Sequence, residues 1–395
     1  MRIIIFIIAF LCLMGCKAKL PLTTATVVKE KELKKDSIVA PKSVLIPVQK
    51  PKDQFDLNFK IGQMILVGIN KRTSLSETDS LRKEIAEGKM GGFIFFEKNI
   101  SSTNAKENLK KLILDLQSRA RIPLFMSIDE EGGKVHRLKE KYGFLPMPSA
   151  AYLGKTNNTD STFYYTSKLA SIMAEVGLNV NFAPDVDVAL NPNNPVIAKV
   201  DRSYSAIPEE VSRHAIANIK AQHVYGVKTV LKHFPGHGSS MTDSHLGITN
   251  VTKQWSFVEL IPYKDIIKSG NCDAIMTAHI VNCRLDTTCL PATLSKVVVT
   301  DILRNILDFK GVVFSDDMQM FAISKNYGLE NAIKMSILAG VDVLVFGNNV
   351  NASDRITASE IHAIITKLVK SGEISESRIT ESFERIMVLK EKKVN

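Results

Sequence analysis

GVVFSDDMQM, residues 311–320, sets an apolar run against two adjacent carboxylates, Asp316 and Asp317. Phe314 and the valines before it read as a buried strand, and carboxylates at its mouth are costly unless used or paired. Seven other short runs share the pattern: IGQMILVGI (61–69), GGFIFF (91–96), PLFMSID (123–129), VNFAPDVDV (180–188), VKTVLKHF (227–234), DAIMTAH (273–279) and VDVLVFG (341–347). Several are almost continuously hydrophobic, as parallel strands covered on both faces are. Helical patterns lie between most of them. One begins near Thr103, and another follows Ile207, where Pro208-Glu209-Glu210 makes a favourable first turn. KVVVTDILRNIL after Ser295 and the amphipathic ITESFERIMVLKEKK are two more. Eight strands alternating with helices predict an α/β fold of the (β/α)8 barrel type. An open doubly wound sheet is the alternative, but no GxGxxG follows the first strand.

A barrel places active residues at the carboxyl ends of its strands. Asp129, Asp187, Lys232 with His233, His279, and Asp316 with Asp317 all end apolar runs.

The flanks read differently. MRIIIFIIAFLCLMGC opens with Arg2 and an apolar run from Ile3 to Met14. That is too short for a comfortable membrane span and suits a signal-peptide core. Its end, Leu13-Met14-Gly15-Cys16, resembles the bacterial lipobox, which implies cleavage before Cys16 and lipidation of that cysteine. Residues 17–53 are rich in Lys, Pro, Val and Thr without sustained periodicity, as a tether is. The expected organisation is a signal peptide at 1–15, a lipidated Cys16 and flexible tether at 16–53, and one barrel domain at 54–395.

The chain is 45% hydrophobic and 23% charged, the balance of a soluble domain with a sizeable core. Its formal charge is +10, of which Arg2 supplies one. Residues 17–53, with nine Lys against four Asp or Glu, supply five more and leave +4 for residues 54–395. The basic excess therefore describes the tether and gives no sign of a nucleic-acid-binding face. Among the five cysteines, Cys283 and Cys289 are spaced to pair across a short loop in an oxidising compartment. No CxxC pair exists, so a structural zinc site is not expected.

KHFPGHGSSMTDSH, residues 232–245, holds three of the eight histidines. A metal site and a proton-transferring loop compete as readings. Metal-dependent barrel hydrolases often carry His-x-His at the end of the first strand, and here that strand ends in VGIN. His233 and His279 remain as ligands, while the Gly-Ser-rich loop around His237 and His245 is a poor frame for coordination. Proton transfer fits better. Asp243 and His245 lie two residues apart, which an extended segment turns to one side. The carboxylate can then orient the imidazole, whose ordinary pKa of roughly 6.5 lets it exchange protons around neutrality. In 311–317 one aspartate can attack an electrophilic carbon while the other caps the next helix, in an order that spacing leaves open. IDEEGGKVHRL (128–138) adds Asp129, a Gly-Gly turn and Arg137, and DRSYS contributes Arg202. Carboxylates accept from paired hydroxyls and guanidinium groups donate in a fixed fork. Without a phosphate loop, the combination points to a neutral polyol such as a sugar.

These motifs resemble family 3 of the glycoside hydrolases, in particular its bacterial β-N-acetylglucosaminidase branch, from about residue 56 to the end. IDEEGGKVHRL resembles that branch's I-D-x-E-G-G-R-V-x-R-L. KHFPGHGSSMTDSH resembles its K-H-F-P-G-H-G-x(4)-D-S-H with the spacing intact, and GVVFSDDMQM its nucleophile motif; MTAHI and LPATLS also have counterparts. The resemblance implies Asp316 as nucleophile and His245 as acid/base supported by Asp243. It implies Asp129, Arg137, Arg202, Lys232 and His233 as holders of the non-reducing-end sugar, with Asp187 and His279 lining the pocket. It implies a retaining mechanism with no metal and no organic cofactor. The glycines flanking His237 would let the loop close on bound sugar. The expected enzyme is a lipid-anchored exo-β-N-acetylglucosaminidase of the cell envelope, in either the inner or the outer membrane, acting on peptidoglycan fragments. Lys134 replaces the usual Arg, Glu130 the usual Gln, which would alter charge near the sugar, and SSMT a more Asp-Thr-rich linker. The chain ends just after the barrel, so the second domain of some relatives is expected to be absent. The alternatives are a family 3 β-glucosidase or other β-glycosidase, an inactive sugar-binding lipoprotein, and a metallohydrolase.

Overall fold

The eight apolar runs become eight parallel strands closed into a barrel. The computed structural model describes residues 55–243 and 247–392. The expected signal peptide, Cys16 and tether, and also His245, lie outside the described residues. The strands are β1 (Ile65–Gly68), β2 (Gly92–Phe95), β3 (Phe125–Ile128), β4 (Val180–Asn181), β5 (Lys228–Phe234), β6 (Thr249–Asn250), β7 (Ala274–Thr277), β8 (Ile280–Val281), β9 (Val312–Asp317) and β10 (Val343–Phe346). The barrel runs β1-β2-β3-β4-β5-β7-β9-β10 and closes on β1, while β6 and β8 pair separately. Phe125 and Phe182 pack their rings on Phe314 at centroid distances of 5.8 and 5.6 Å, all three fully buried, so the interior is a filled core rather than a pore.

Two runs are less strand-like than their composition suggests. Residues 61–63 belong to the helix Leu57–Gln63, capped by the Asp56 side chain on Phe59 N. In 180–188 only Val180–Asn181 is strand. Pro184 has no N–H to give to a ladder, and pairing resumes as the single bridge Asp185–Lys232. The expected helices near Thr103 and after Ile207 are Ala105–Ser118 and Pro208–His223. The helix after Ser295 is wound as a π-helix over Val297–Ile306, and the terminal one starts earlier than its pattern, at Glu376 behind the Ser375 cap.

Two irregularities decide where side chains point. Between β5 and β7, Leu231 pairs Ile275 but Phe234 pairs Thr277, so β5 carries one extra residue at Lys232–His233. Between β10 and β9, Val343 pairs Phe314 but Val345 pairs Asp317, again one extra residue, at Ser315–Asp316. Bulges of this kind bend a strand and re-aim its side chains.

The amino-terminal end of the barrel is closed by helices and by charge. Phe55 stacks on Phe59 at 4.5 Å and, with Ile122 and Phe383, forms a small cluster near the start of β3. Asp342, fully buried before β10, accepts from Arg304 Nη2 at 2.6 Å, Ser382 Oγ at 2.8 Å, Val313 N at 3.0 Å and Arg385 Nη1 at 3.2 Å. Beside the barrel, the β6–β8 ribbon packs Val251, Trp255, Ala278 and Ile280 together. Cys283 and Cys289 are joined, and Cys272 is the free thiol among the described cysteines. No helix among the described residues is long and apolar enough to cross a membrane.

Replacing Asp342 by Ala strands buried guanidinium groups without their shared acceptor. The expected loss is about 3–5 kcal/mol, the usual result of removing one partner from a buried ion pair. Urea denaturation of the variant checks it.

Candidate active site

At the carboxyl ends of the strands lies a cavity of about 960 Å³, whose walls include Asp129, Arg137, Arg202, Lys232, His233 and Asp316. Asp129 directly follows β3, and the bulge in β5 brings Lys232 and His233 into the same wall although they are adjacent in sequence. Lys232, 2% exposed, places Nζ 2.8 Å from Asp129 Oδ1 and 2.6 Å from Glu131 Oε1. Arg202 grips Glu131 with both edges of its fork, Nε to Oε2 at 2.8 Å and Nη2 to Oε1 at 2.9 Å. The same Nη2 stands 3.2 Å from His233 Nε2. Arg137 reaches over Asp129 at 3.7 Å.

The electrostatics follow from burial and pairing. Burial alone would raise Glu131, but the charges of Arg202 and Lys232 outweigh it and hold the carboxyl at about 2. Burial likewise opposes the charge on Lys232, and Asp129 and Glu131 overcome it to raise the ammonium above its ordinary value. Asp185 sits behind this group; burial and then the nearby Asp187 push its carboxyl well above the usual range. Burial opposes the charge on Asp187 too, and His233 keeps it low.

Several expected residues are elsewhere. Asp187 is fully buried behind the wall, with Oδ2 2.7 Å from His233 Nδ1 and Oδ1 2.7 Å from His237 N. It orients the His233 ring and does not line the cavity, because its oxygens are turned to these donors. His279 is also fully buried, with Nδ1 2.8 Å from Thr293 Oγ1 and Nε2 3.0 Å from the Asp317 carbonyl. It lies under the end of β9, outside the lining. Glu130, beside Asp129, is turned into the loop behind the wall rather than into the cavity. Its buried carboxylate accepts from Arg137 N at 2.9 Å and Leu138 N at 3.0 Å and contacts His136 Nδ1, so it braces the loop that carries Arg137. Asp243 is half-buried and outside the lining.

Asp316 and Asp317 divide as the bulge dictates. Asp317 Oδ1 accepts from Gln319 N at 3.0 Å and Gly347 N at 3.1 Å, tying the turn after β9 to the end of β10. Asp316 accepts from Asp317 N at 2.8 Å, and both residues line the cavity.

The glycine-rich stretch after β5 is pinned, contrary to its expected freedom. A Cβ on Gly238 would lie 1.7 Å from the Val188 carbonyl oxygen, and Gly236 has φ +118°. Asn194 Nδ2 donates to His237 O at 2.7 Å, and Asn191 Nδ2 to Ser240 O at 2.8 Å. The glycines therefore serve close backbone approach. Burial lowers His237 to about 4, so it stays neutral across the physiological range. Among the described residues, Asp185, Asp187 and His233 bring one potential metal-ligand atom each within 4.8 Å of one another. The positive charge beside them is the Arg202 guanidinium, whose Nε is 3.3 Å from Asp185 Oδ2.

Sequence reasoning did not single out Glu131, Asp185 or Glu259. The first two are readable as extra acids inside motifs already quoted, whereas Glu259 has no local signal.

Buried acid–cation pairs thus form one wall of a cavity at the barrel mouth, which Asp316 and Asp317 also line. Residues 56–389 match the description "Glycosyl hydrolase family 3 N terminal domain", and the chain belongs to that family. It is 33% identical over 331 residues to "Beta-hexosaminidase A" of Pseudoalteromonas piscicida, covering 79% of this chain and 55% of that protein. It is 32% identical over 277 residues to "Beta-hexosaminidase" of Tolumonas auensis, covering 69% and 80% respectively. Among solved structures, a family 3 β-N-acetylglucosaminidase from a Paenibacillus species superposes with a TM-score of 0.78 at 34% identity, over 85% of this chain and 62% of that one. The chain thus spans little more than half of the first of these relatives and under two thirds of the Paenibacillus protein.

Glu131→Gln leaves two buried cations facing a neutral amide, at an expected cost of about 3–5 kcal/mol at neutral pH. Because Glu131 is held at about 2 against an ordinary 4.5, its contribution is complete above pH 4.5 and disappears as pH falls through about 2. The gap between wild type and variant in urea denaturation is therefore expected to narrow from neutral toward strongly acid pH.

Proposed function

We propose that this protein is a retaining exo-β-N-acetylglucosaminidase that releases terminal N-acetylglucosamine from peptidoglycan fragments. The observation that carries the reading is the Asp316 carboxylate sharing one cavity with Asp129, Arg137, Lys232 and His233. Those four side chains offer acceptors and donors for sugar hydroxyls, held in place by Glu131 and Asp187. The relatives named beta-hexosaminidase, and the Paenibacillus β-N-acetylglucosaminidase, support the choice of sugar.

In this reading Asp316 attacks the anomeric carbon while His245, oriented by Asp243, protonates the departing glycosidic oxygen. The glycosyl–Asp316 ester is then hydrolysed by a water that His245 deprotonates, so configuration is retained. His237 is unsuited to the proton-carrying role, being buried and neutral. Asp317 Oδ1 is engaged by the backbone N–H groups of Gln319 and Gly347. All proton transfers and bond changes are accounted for by these side chains, without a metal or organic cofactor. The leader ending in Cys16 supports a lipid-anchored protein of the cell envelope, and the Cys283–Cys289 pair suits an oxidising compartment.

The test is hydrolysis of a chromogenic β-N-acetylglucosaminide beside its gluco analogue. The acetamido compound is expected to be preferred. His245→Ala is expected to lose about 10²- to 10⁴-fold in rate, the range for a removed acid/base group, and Asp316→Ala to lose measurable turnover. Preference for the gluco compound would replace the substrate assignment, and an active Asp316→Ala would remove the mechanism.

A further inference from the structure

Glu259, in the short helical turn Phe257–Leu260, is fully buried and does not line the cavity. Its carboxyl lies under the stretch Gly236–Ser240. Oε2 accepts from Gly238 N at 2.8 Å and from Ser239 N at 3.4 Å. A Cβ on Gly236 would fall 2.5 Å from Glu259 Cβ, so backbone and side chain are already in contact there. Oε1 is buried, and the Ser239 hydroxyl lies beside the carboxyl without a well-aligned hydrogen bond to it. A buried carboxylate without full hydrogen bonding is unfavourable, whereas a protonated carboxyl has a hydrogen to offer a neighbour.

We propose that Glu259 is a positioning residue for the acid/base step, a buried carboxyl latch that fixes the backbone of 236–240, the stretch that precedes Asp243 and His245 in the chain. The latch reinforces, from the opposite side, the grip of Asn191 and Asn194 on the same stretch. Burial, and then the nearby Asp187, raise this carboxyl to about 8, so it is mostly protonated at neutral pH. The titratable groups that act on it are Asp187 at the barrel mouth and Tyr263 on the following helix, and neither is a cation. The inference rests on His245 being the acid/base.

The test compares kcat/KM for two aryl β-N-acetylglucosaminides, one with methylumbelliferone and one with 2,4-dinitrophenol as leaving group. The first needs a proton to depart and the second does not, so a misplaced acid slows only the first. Glu259→Ala in the full chain is expected to lose about 10²-fold on the methylumbelliferyl substrate, as small misplacements of reacting groups do, and little on the dinitrophenyl one. Glu259→Gln, which mimics the neutral carboxyl, is expected to stay close to wild type on both at neutral pH. If the alanine variant does not fold, Glu259→Asp, one methylene short of the backbone donors, is expected to give the same split. Equal losses on both substrates, no loss on either, or a glutamine variant as damaged as alanine would overturn the latch. His245→Ala showing the split while Glu259→Ala and Glu259→Asp do not would overturn this inference alone. A His245→Ala without the split would overturn the acid/base assignment and the latch together.

Discussion

Two cations buried in the barrel mouth, Arg202 and Lys232, share one carboxylate, Glu131, and the spacing of the site follows from that arrangement. Taking such charges out of water costs several kcal/mol each unless paired geometry repays it. The pairing joins three successive parts of the barrel: the loop after β3, the loop after β4, and β5 itself. Each cation also ties in a second residue of the cavity wall, Lys232 holding Asp129 and Arg202 meeting His233. The wall is therefore rigid before any ligand arrives, which is what polar recognition in a partly dry site requires.

The second constraint is backbone register. A regular strand sends neighbouring side chains to opposite faces, so Lys232 and His233 should not share a wall. One extra residue in β5 allows both to face the cavity. One extra residue in β9 brings Asp316 to the cavity beside Asp317, whose Oδ1 also ties the following turn to β10. Both irregularities fall on the strands that carry the proposed chemistry.

The barrel was legible because apolar runs ending in polar residues are a direct record of parallel strands with an active carboxyl end. Asp129, Lys232, His233 and Asp316 could be expected at one mouth for the same reason, and Arg137 and Arg202 from the motifs that carry the family resemblance. What sequence could not give was which way a residue turns once it arrives there. Asp187 and His279 end apolar runs as Asp316 does, yet their hydrogen bonds turn them into the wall. Glu130 stands beside Asp129 in sequence and is a loop brace, because its acceptors meet the backbone of Arg137 and Leu138. The glycines around His237 suggested mobility, since composition cannot distinguish a glycine that bends from one that admits a neighbour's carbonyl. Glu259 was invisible because its partner lies some twenty residues upstream and is backbone, which leaves no pattern to read.

Phe55, the first described residue, is seated with Phe59 and Phe383 near the start of β3, at the pole remote from the opening. The chain's first described turn is thereby held by aromatic packing at one end of the barrel while the cavity opens at the other, so loosening these rings bears on stability and leaves the polar wall untouched.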